Sequence, residues 1–200
     1  MKKKILIISG GILIALAPLQ LLSGVAYTLM SPEIYEGNSI LQLTFPQNSN
    51  QQYTKDALLG LTQQKAERIR TSDIYFQVII QHELQKKWGH EGRELPFQVA
   101  QKILDSNVKL NVDPEAVGLI RMTVESTSPE EAAEISNALA RAFKSSNSDI
   151  SIIDFAHAEI RPVSPNLFKD VLFVILRSLI FIGIGASLFI VGIKIKKPAH

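Results

Sequence analysis

The amino-acid sequence predicts an α+β protein, in which an extracytoplasmic mixed-sheet domain with packed helices lies between two terminal transmembrane helices. Two observations lead to this prediction. Each end of the chain carries a long apolar run, and the segment between them shows the order strand, helices, two strands, helix, strand. The predicted boundaries are 1–30 for the N-terminal lysines and first helix, 31–168 for the domain, and 169–200 for the second helix and a short basic tail.

Both apolar runs have the length of a membrane span. Residues 171–193 contain one charge, Arg177, and as a helix would extend about 34 Å, enough to cross a hydrocarbon core of about 30 Å. Residues 5–30 carry no charge. Lysines flank both runs on their outer sides (Lys2, Lys3, Lys4, Lys194, Lys196 and Lys197). The positive-inside rule then predicts that both termini are cytoplasmic and that the segment between the two runs lies outside the cytoplasm.

The N-terminal run has a second interpretation. Lysines, an apolar stretch and the small residues Gly24-Val25-Ala26 also resemble a signal peptide that is cleaved after Ala26. The uncharged run is long for a signal peptide, and no start of a folded domain is marked at Tyr27. An uncleaved anchor is therefore the prediction.

Charge and cysteine content exclude some classes of function. The net charge of +2 conceals a domain of −5, since residues 31–168 hold 13 Lys and Arg against 18 Asp and Glu. The excess of positive charge lies at the membrane flanks, so no nucleic-acid partner is predicted. The chain has no cysteine, which excludes disulfides and thiolate metal sites.

Local patterns predict the elements of the domain. Strands are expected at 39–45, 108–112, 120–124 and 150–160, and helices within 55–88, after Pro96 and from Ser128 to about Lys144. Pro46–Asn50 should end the first strand, and Asp113–Glu115 should form a turn. Thr71–Asp73 should divide the first helical region, whose later face is expected to use Phe76, Ile79, Ile80 and Leu84.

The helix after Ser128 has the most complete set of signals. Ser128 is a candidate N-cap, Pro129 takes the first helical position, and Glu131 stands three residues after the cap, as in a capping box. Its predicted buried face is Ala132, Ile135, Leu139, Ala142 and Phe143.

A search for catalytic chemistry gives no candidate. No two of the four histidines (His82, His90, His157 and His200) share a ligand spacing of three or four residues. Glu130 and Glu131 are explained by helix capping. The sequence contains no nucleotide-binding or nucleophile motif in a suitable context. We therefore predict no enzyme activity, no cofactor and no metal.

The membrane helices carry the remaining candidate residues. Gly11 with Ala15, and Gly183 with Ser187, are small residues four apart, a spacing that allows close helix approach in lipid. Arg177 is costly inside a bilayer, by about 2.5–3.5 kcal/mol at a helix centre. Its side chain is expected to reach the interface, and a contact with a lipid headgroup or a partner helix is the functional alternative.

The junction between the domain and the second membrane helix is the remaining candidate site. Pro162 should stiffen the approach of the last strand, while Ser164 and Pro165 have the pattern of an N-cap followed by a first-turn proline, with Asn166 next.

Three segments of the chain carry a resemblance to a known family. Tyr27–Leu43 (YTLMSPEIYEGNSILQL) matches a first-helix exit and first strand, and Ser128–Ala140 (SPEEAAEISNALA) a helix ending in Asn-Ala-Leu-Ala. Ile153–Asn166 (IDFAHAEIRPVSPN) matches a proline-rich return to a second membrane helix. In this order the chain resembles the Wzz-type chain-length determinants, also called polysaccharide co-polymerases.

The resemblance implies a non-catalytic inner-membrane protein that oligomerises and sets the length of a polysaccharide (capsule, exopolysaccharide or O-antigen). The implied partners are further copies of the chain, a membrane polysaccharide polymerase and a lipid-linked glycan. Because only Lys144–Asp149 stands where long helices extend in the larger members, the chain resembles the short form. That form works with a separate cytoplasmic tyrosine kinase. The alternatives are a two-helix subunit of another envelope or export assembly and a ligand-sensing adaptor.

Overall fold

The computed structural model describes residues 2–45 and 54–194. The turn predicted at Pro46–Asn50 lies outside these residues, as do Lys196 and Lys197. The chain divides into two compact units. One is Ile34–Val163, and the other combines Met1–Glu33 with Ser164–His200.

The first unit is built on a four-stranded sheet with the order β2-β3-β1-β4. The strands are β1 (Tyr35–Leu43), β2 (Val108–Val112), β3 (Leu119–Ser126) and β4 (Ile150–Asp154). β1 therefore begins earlier, and β4 ends earlier, than the sequence predicts. The predicted pairing of β2 with β3 is confirmed.

The prediction of a mixed sheet is wrong, since all three strand pairs are antiparallel. The strands β3 and β4 run in the same direction, because both are antiparallel to β1. Two parallel strands can pair side by side only when a long crossover connection joins them, and the helix between β3 and β4 would be such a connection. However, β1 lies between these two strands, so they do not pair.

The helices of the chain are α1 (Lys2–Met30), α2 (Lys55–Glu67), α3 (Ser72–Gln81), α4 (Leu84–Lys87), α5 (Phe97–Asn107), α6 (Pro129–Ser146) and α7 (Leu167–Lys194). A 3-10 turn, Arg68–Arg70, follows α2. The predicted division near Thr71 is confirmed, because Thr71 has an extended conformation between this turn and α3.

The predicted face of α3 is only partly correct. Ile79 is buried, but Phe76 and Ile80 are exposed, and the buried side chains are those of Ile74, Tyr75, Val78 and Ile79. The helix ends at Gln81, and Leu84 belongs to the separate helix α4. A spacing counted across that end does not describe one helical face.

Helix α6 packs on one face of the sheet. Its N-cap is confirmed: the Oγ of Ser128 accepts a hydrogen bond from the Glu131 amide at 3.3 Å. The predicted apolar face of α6 is confirmed as buried. At Gly37 of β1, a Cβ atom would lie 2.3 Å from the carbonyl oxygen of Ala132, so the strand and helix backbones approach closely there. Beside this contact, the hydroxyls of Ser39 and Ser136 form a buried hydrogen bond of 2.8 Å.

The core lies between this face of the sheet and the helices. Leu41 and Leu43 of β1, with Ile120, Met122 and Val124 of β3, alternate with more exposed residues as the strand period requires. An antiparallel sheet covered on one side leaves its other face polar and accessible, and Arg121 and Gln42 lie exposed there.

Candidate functional site

Helices α1 and α7 form the second unit and pack against each other. Ile5–Met30 (26 residues, mean hydropathy 2.3) and Phe168–Lys194 (27 residues, mean hydropathy 2.4) are each long and apolar enough to cross a membrane. Many of their large apolar side chains are exposed, for example Leu22, Phe173 and Ile180. Such a surface is costly in water and favourable in lipid.

The two helices meet along small residues. A Cβ atom at Gly10 would lie 2.6 Å from the carbonyl oxygen of Gly185, and one at Gly185 would lie 2.9 Å from that of Gly10. The other contacts show that the helices are antiparallel, since Gly24 faces Val174 and Gly192 faces Ile7. At Gly10 and Gly185 the two backbones are therefore close enough to exclude any side chain.

The small residues of this seam are spaced seven apart, namely Gly10, Ala17 and Gly24 on α1, and Ser178, Gly185 and Gly192 on α7. A seven-residue interval keeps contacts on one side of each helix over two turns, as in coiled-coil packing. The seven-residue interval is visible in the sequence, but a search for small residues four apart does not detect it.

The structure places the close contact elsewhere than at the four predicted packing residues. A Cβ atom at Gly11 or Gly183 would meet no atom within 4 Å, and Ala15 and Ser187 are exposed. The hydroxyl of Ser187 donates to the Gly183 carbonyl of its own helix at 2.8 Å. Gly11 is one position after Gly10, and Gly183 is two positions before Gly185. At these two positions the side-chain direction turns away from the partner helix, so Gly11 and Gly183 lie outside the close contact.

Arg177 lines a cleft of about 760 Å³ between α1 and α7. Much of the cleft lining is polar, because Gln20, Ser23 and Thr28 of α1 and Asp170 and Ser178 of α7 also line it. Among the described residues, no ion pair involves Arg177. Arg177 is thus an exposed cation beside a polar space.

The N-cap of α7 is Asn166, and the prediction that Ser164 caps this helix is wrong. The Oδ1 of Asn166 accepts from the amide of Lys169 at 3.1 Å, and the Asn166 carbonyl accepts from the amide of Asp170 at 2.8 Å. A capping side chain must directly precede the first helical residue, which here is Leu167. The Ser164–Pro165 peptide bond is cis.

Pro162 is exposed near the end of the first unit. Its neighbour Val163 donates its amide to the carbonyl of Ile34 at 2.8 Å. The first and last residues of this unit are therefore side by side.

A small group of charges lies on the surface between α3–α4 and α6. His82 donates from Nδ1 to Glu134 at 2.9 Å, and the Nζ of Lys87 lies 3.4 Å from the same carboxylate. The hydrogen bond from His82, with the charge of Lys87, holds the pKa of Glu134 below its usual value. These contacts tie the helices together.

Tyr75 connects α3 to α5. Its hydroxyl donates to Asp105 at 3.2 Å, and burial together with the adjacent carboxylate raises the pKa of the Tyr75 hydroxyl far above its usual value. Arg70 also approaches Asp105, at 3.4 Å, and donates to the carbonyl of Val108 at 2.9 Å. The tyrosine therefore stays protonated and acts as a fixed hydrogen-bond donor.

Within residues 2–45 and 54–194, no group of three or more His, Asp or Glu side chains could hold a metal ion. No protein-family model matches the chain, and no match is found among curated proteins.

Proposed function

We propose that the chain is a non-catalytic membrane regulator of polysaccharide length, which acts as an oligomeric scaffold for a membrane glycan polymerase. In this proposal α1 and α7 cross the inner membrane, both termini are cytoplasmic, and Ile34–Val163 lies outside the cytoplasm. The observation that carries the proposal is an α+β unit whose two ends meet at Ile34 and Val163, joined to a closely packed antiparallel pair of apolar helices.

The surface of the helix pair supports a scaffold. Inside the helix pair, the contact between Gly10 and Gly185 holds the two helices together, while a Cβ atom at Gly183, on the opposite side of α7, would meet no atom within 4 Å. Large apolar side chains on other sides of the pair, such as those of Leu22 and Ile182, are also exposed. In a membrane they offer the surface on which further copies of the chain or the polymerase would pack.

The proposed mechanism depends on the assembly of several chains and involves no chemical step on the chain itself. Lateral association of several chains would place a ring or row of domains around the growing glycan on its lipid carrier. The time that the glycan stays in contact with the polymerase then depends on the assembly, and with it the number of repeat units added. A separate tyrosine kinase in the cytoplasm would be the regulatory partner.

The test is deletion of the gene followed by electrophoresis of the surface polysaccharide. We expect the length distribution to lose its preferred range and to recover when the full chain is supplied from a plasmid. If deletion leaves the distribution unchanged while another envelope function is lost, the chain belongs to a different envelope or export assembly.

A further inference from the structure

We propose that the cleft between α1 and α7 binds the headgroup of an ethanolamine phospholipid, with the phosphate at Arg177 and the ammonium group at Asp170. The cleft lies at the end of the helix pair where α1 ends and α7 begins. This inference goes beyond the function proposed above and depends only on the two helices lying in a bilayer.

Arg177 and Gln20 define the deep level of the cleft. Each lies ten residues from its helix end, Leu167 or Met30, which corresponds to about 15 Å along the axis. Since a helix of this length exceeds a hydrocarbon core of about 30 Å, the level is roughly 10 Å inside its edge. The arginine side chain leans toward the N-terminus of α7 and so toward the interface, where lipid phosphates lie.

Gln20 offers a second donor at this level. Its Oε1 atom is buried and has no hydrogen-bond partner among the described residues. A buried amide oxygen without a partner is unfavourable, and the two ends of an amide can exchange places to suit a ligand. When the amide turns over, its NH2 group donates to a phosphate oxygen alongside the guanidinium of Arg177.

The shallow level of the cleft offers acceptors. Asp170 supplies a carboxylate three residues into α7. The hydroxyls of Thr28 and Ser31 donate their protons to carbonyls of their own segment, Gly24 at 3.0 Å and Tyr27 at 2.8 Å. Their oxygens remain able to accept hydrogen bonds. A negative charge surrounded by acceptors favours a cation with N–H groups.

The order of these groups matches the order of groups in the lipid. A phospholipid places its acyl chains deepest, its phosphate next and its ammonium group nearest the water. Phosphatidylcholine has the phosphate and the positive charge but no N–H donor. Phosphatidylglycerol has the phosphate and hydroxyl donors but no positive charge to pair with Asp170. Phosphatidylethanolamine alone among the three supplies all the groups that the cleft complements.

Native mass spectrometry of the full chain in detergent tests this directly. The protein is equilibrated with equal amounts of phosphatidylethanolamine, phosphatidylcholine and phosphatidylglycerol, and the retained lipid is counted. We expect phosphatidylethanolamine to be retained roughly tenfold over each of the others, the factor typical of one added charge-assisted hydrogen bond. Equal retention of the three lipids would overturn the proposal.

Two variants test the deep level and the shallow level of the cleft independently. Arg177→Gln should abolish retention of phosphatidylethanolamine, and because it removes a charge from the bilayer, it should not impair insertion. Asp170→Asn should keep lipid bound but lose the preference for phosphatidylethanolamine over phosphatidylglycerol. Lys169→Gln is the control, since it removes an adjacent charge that does not line the cleft. If Asp170→Asn keeps the preference, or Lys169→Gln loses it, the ammonium assignment is wrong.

Inorganic phosphate distinguishes a lipid site from an ion site. Added to lipid-free protein, it should bind far more weakly than the lipid, because acyl chains contribute to lipid binding. Tight binding of inorganic phosphate that depends on Arg177 would overturn the lipid proposal. The same holds if the lipid is released whenever two copies of the chain associate, since a second chain would then be the occupant.

Discussion

The side-chain amide of Asn137 pairs with both backbone groups of Ala156. Its Nδ2 donates to the Ala156 carbonyl at 2.9 Å, and its Oδ1 accepts from the Ala156 amide at 2.8 Å. An amide side chain can imitate a peptide group in this way. The pairing holds the chain against α6 two residues after β4 ends at Asp154. It gives a physical role to the asparagine of the Ser128–Ala140 segment.

Asn137→Asp should destabilise the protein by about 1–3 kcal/mol, because the carboxylate keeps an acceptor but cannot donate to the Ala156 carbonyl. Thermal unfolding of the full chain, followed by circular dichroism, measures the loss. Asn111→Asp is the matched control, since Asn111 is exposed on β2. Equal shifts for the two variants would show that the added charge, and not the lost pairing, is responsible.

Gly37→Ala should destabilise the α+β unit by about 1–3 kcal/mol or more, because the new methyl group would overlap the backbone of Ala132. Gly60→Ala should instead stabilise it, by up to about 1 kcal/mol, because alanine has a better helix propensity than glycine. Gly60 lies exposed within α2, where a Cβ atom meets nothing within 4 Å. Denaturant unfolding of both variants should move the midpoint in opposite directions, and a shared direction would contradict the packing of α6 on β1.

The stability of the protein should fall in acid partly through Glu134. Its pKa is lower in the folded state than the value of about 4.3 for an unfolded chain, so its contribution is present above that pH. The contribution is lost as the pH falls through the folded pKa. Glu134→Gln should therefore lower stability at neutral pH and flatten the acid decline. A Glu134→Gln variant whose acid profile matches that of the unaltered protein would contradict the His82 contact.

Glu131 should matter more than Glu130 for the stability of α4 on α6. One carboxylate oxygen of Glu131 accepts from Trp88 Nε1 at 3.1 Å, and the other accepts from the Ser126 hydroxyl. Glu131→Ala should cost about 1–3 kcal/mol, since it leaves the indole N–H without its partner. Trp88 is the one tryptophan of the sequence, so its fluorescence follows the unfolding. Glu130→Ala removes the same charge from the same helix end and should cost clearly less.

The elements best predicted from the sequence are those whose start and buried face are marked by residues close together in the chain. Ser128 and Pro129 mark the start of α6 with neighbouring residues, and its apolar period runs unbroken to Phe143. The side-chain contacts of Glu131 could not be predicted from the neighbouring residues. A capping box predicts that its side chain returns to the cap residue, but the carboxylate binds Trp88, which lies 43 positions away in sequence. The placement of β1 between β3 and β4 is likewise a long-range property.

In the candidate site, too, one feature could be predicted from the sequence and another could not. Arg177 stands out in the sequence because a single charge in an apolar run is conspicuous, and the structure places it at the polar cleft. The seam of Gly10 and Gly185 depends on how the two helices face each other, which no spacing within one helix determines. Gly11 and Gly183 satisfy a spacing of four and still lie outside the seam.

The most direct test of the proposed scaffold uses two leucine substitutions two residues apart in α7. A Cβ atom at Gly185 would lie against the backbone of Gly10, so Gly185→Leu would collide with it, whereas a Cβ atom at Gly183 meets no atom within 4 Å. Each variant is expressed in cells that lack the gene, and the length distribution of the surface polysaccharide is read by electrophoresis. We predict that Gly183→Leu restores the preferred length and that Gly185→Leu reproduces the deletion pattern. An unaltered distribution in the deletion strain itself would contradict a role in polysaccharide length.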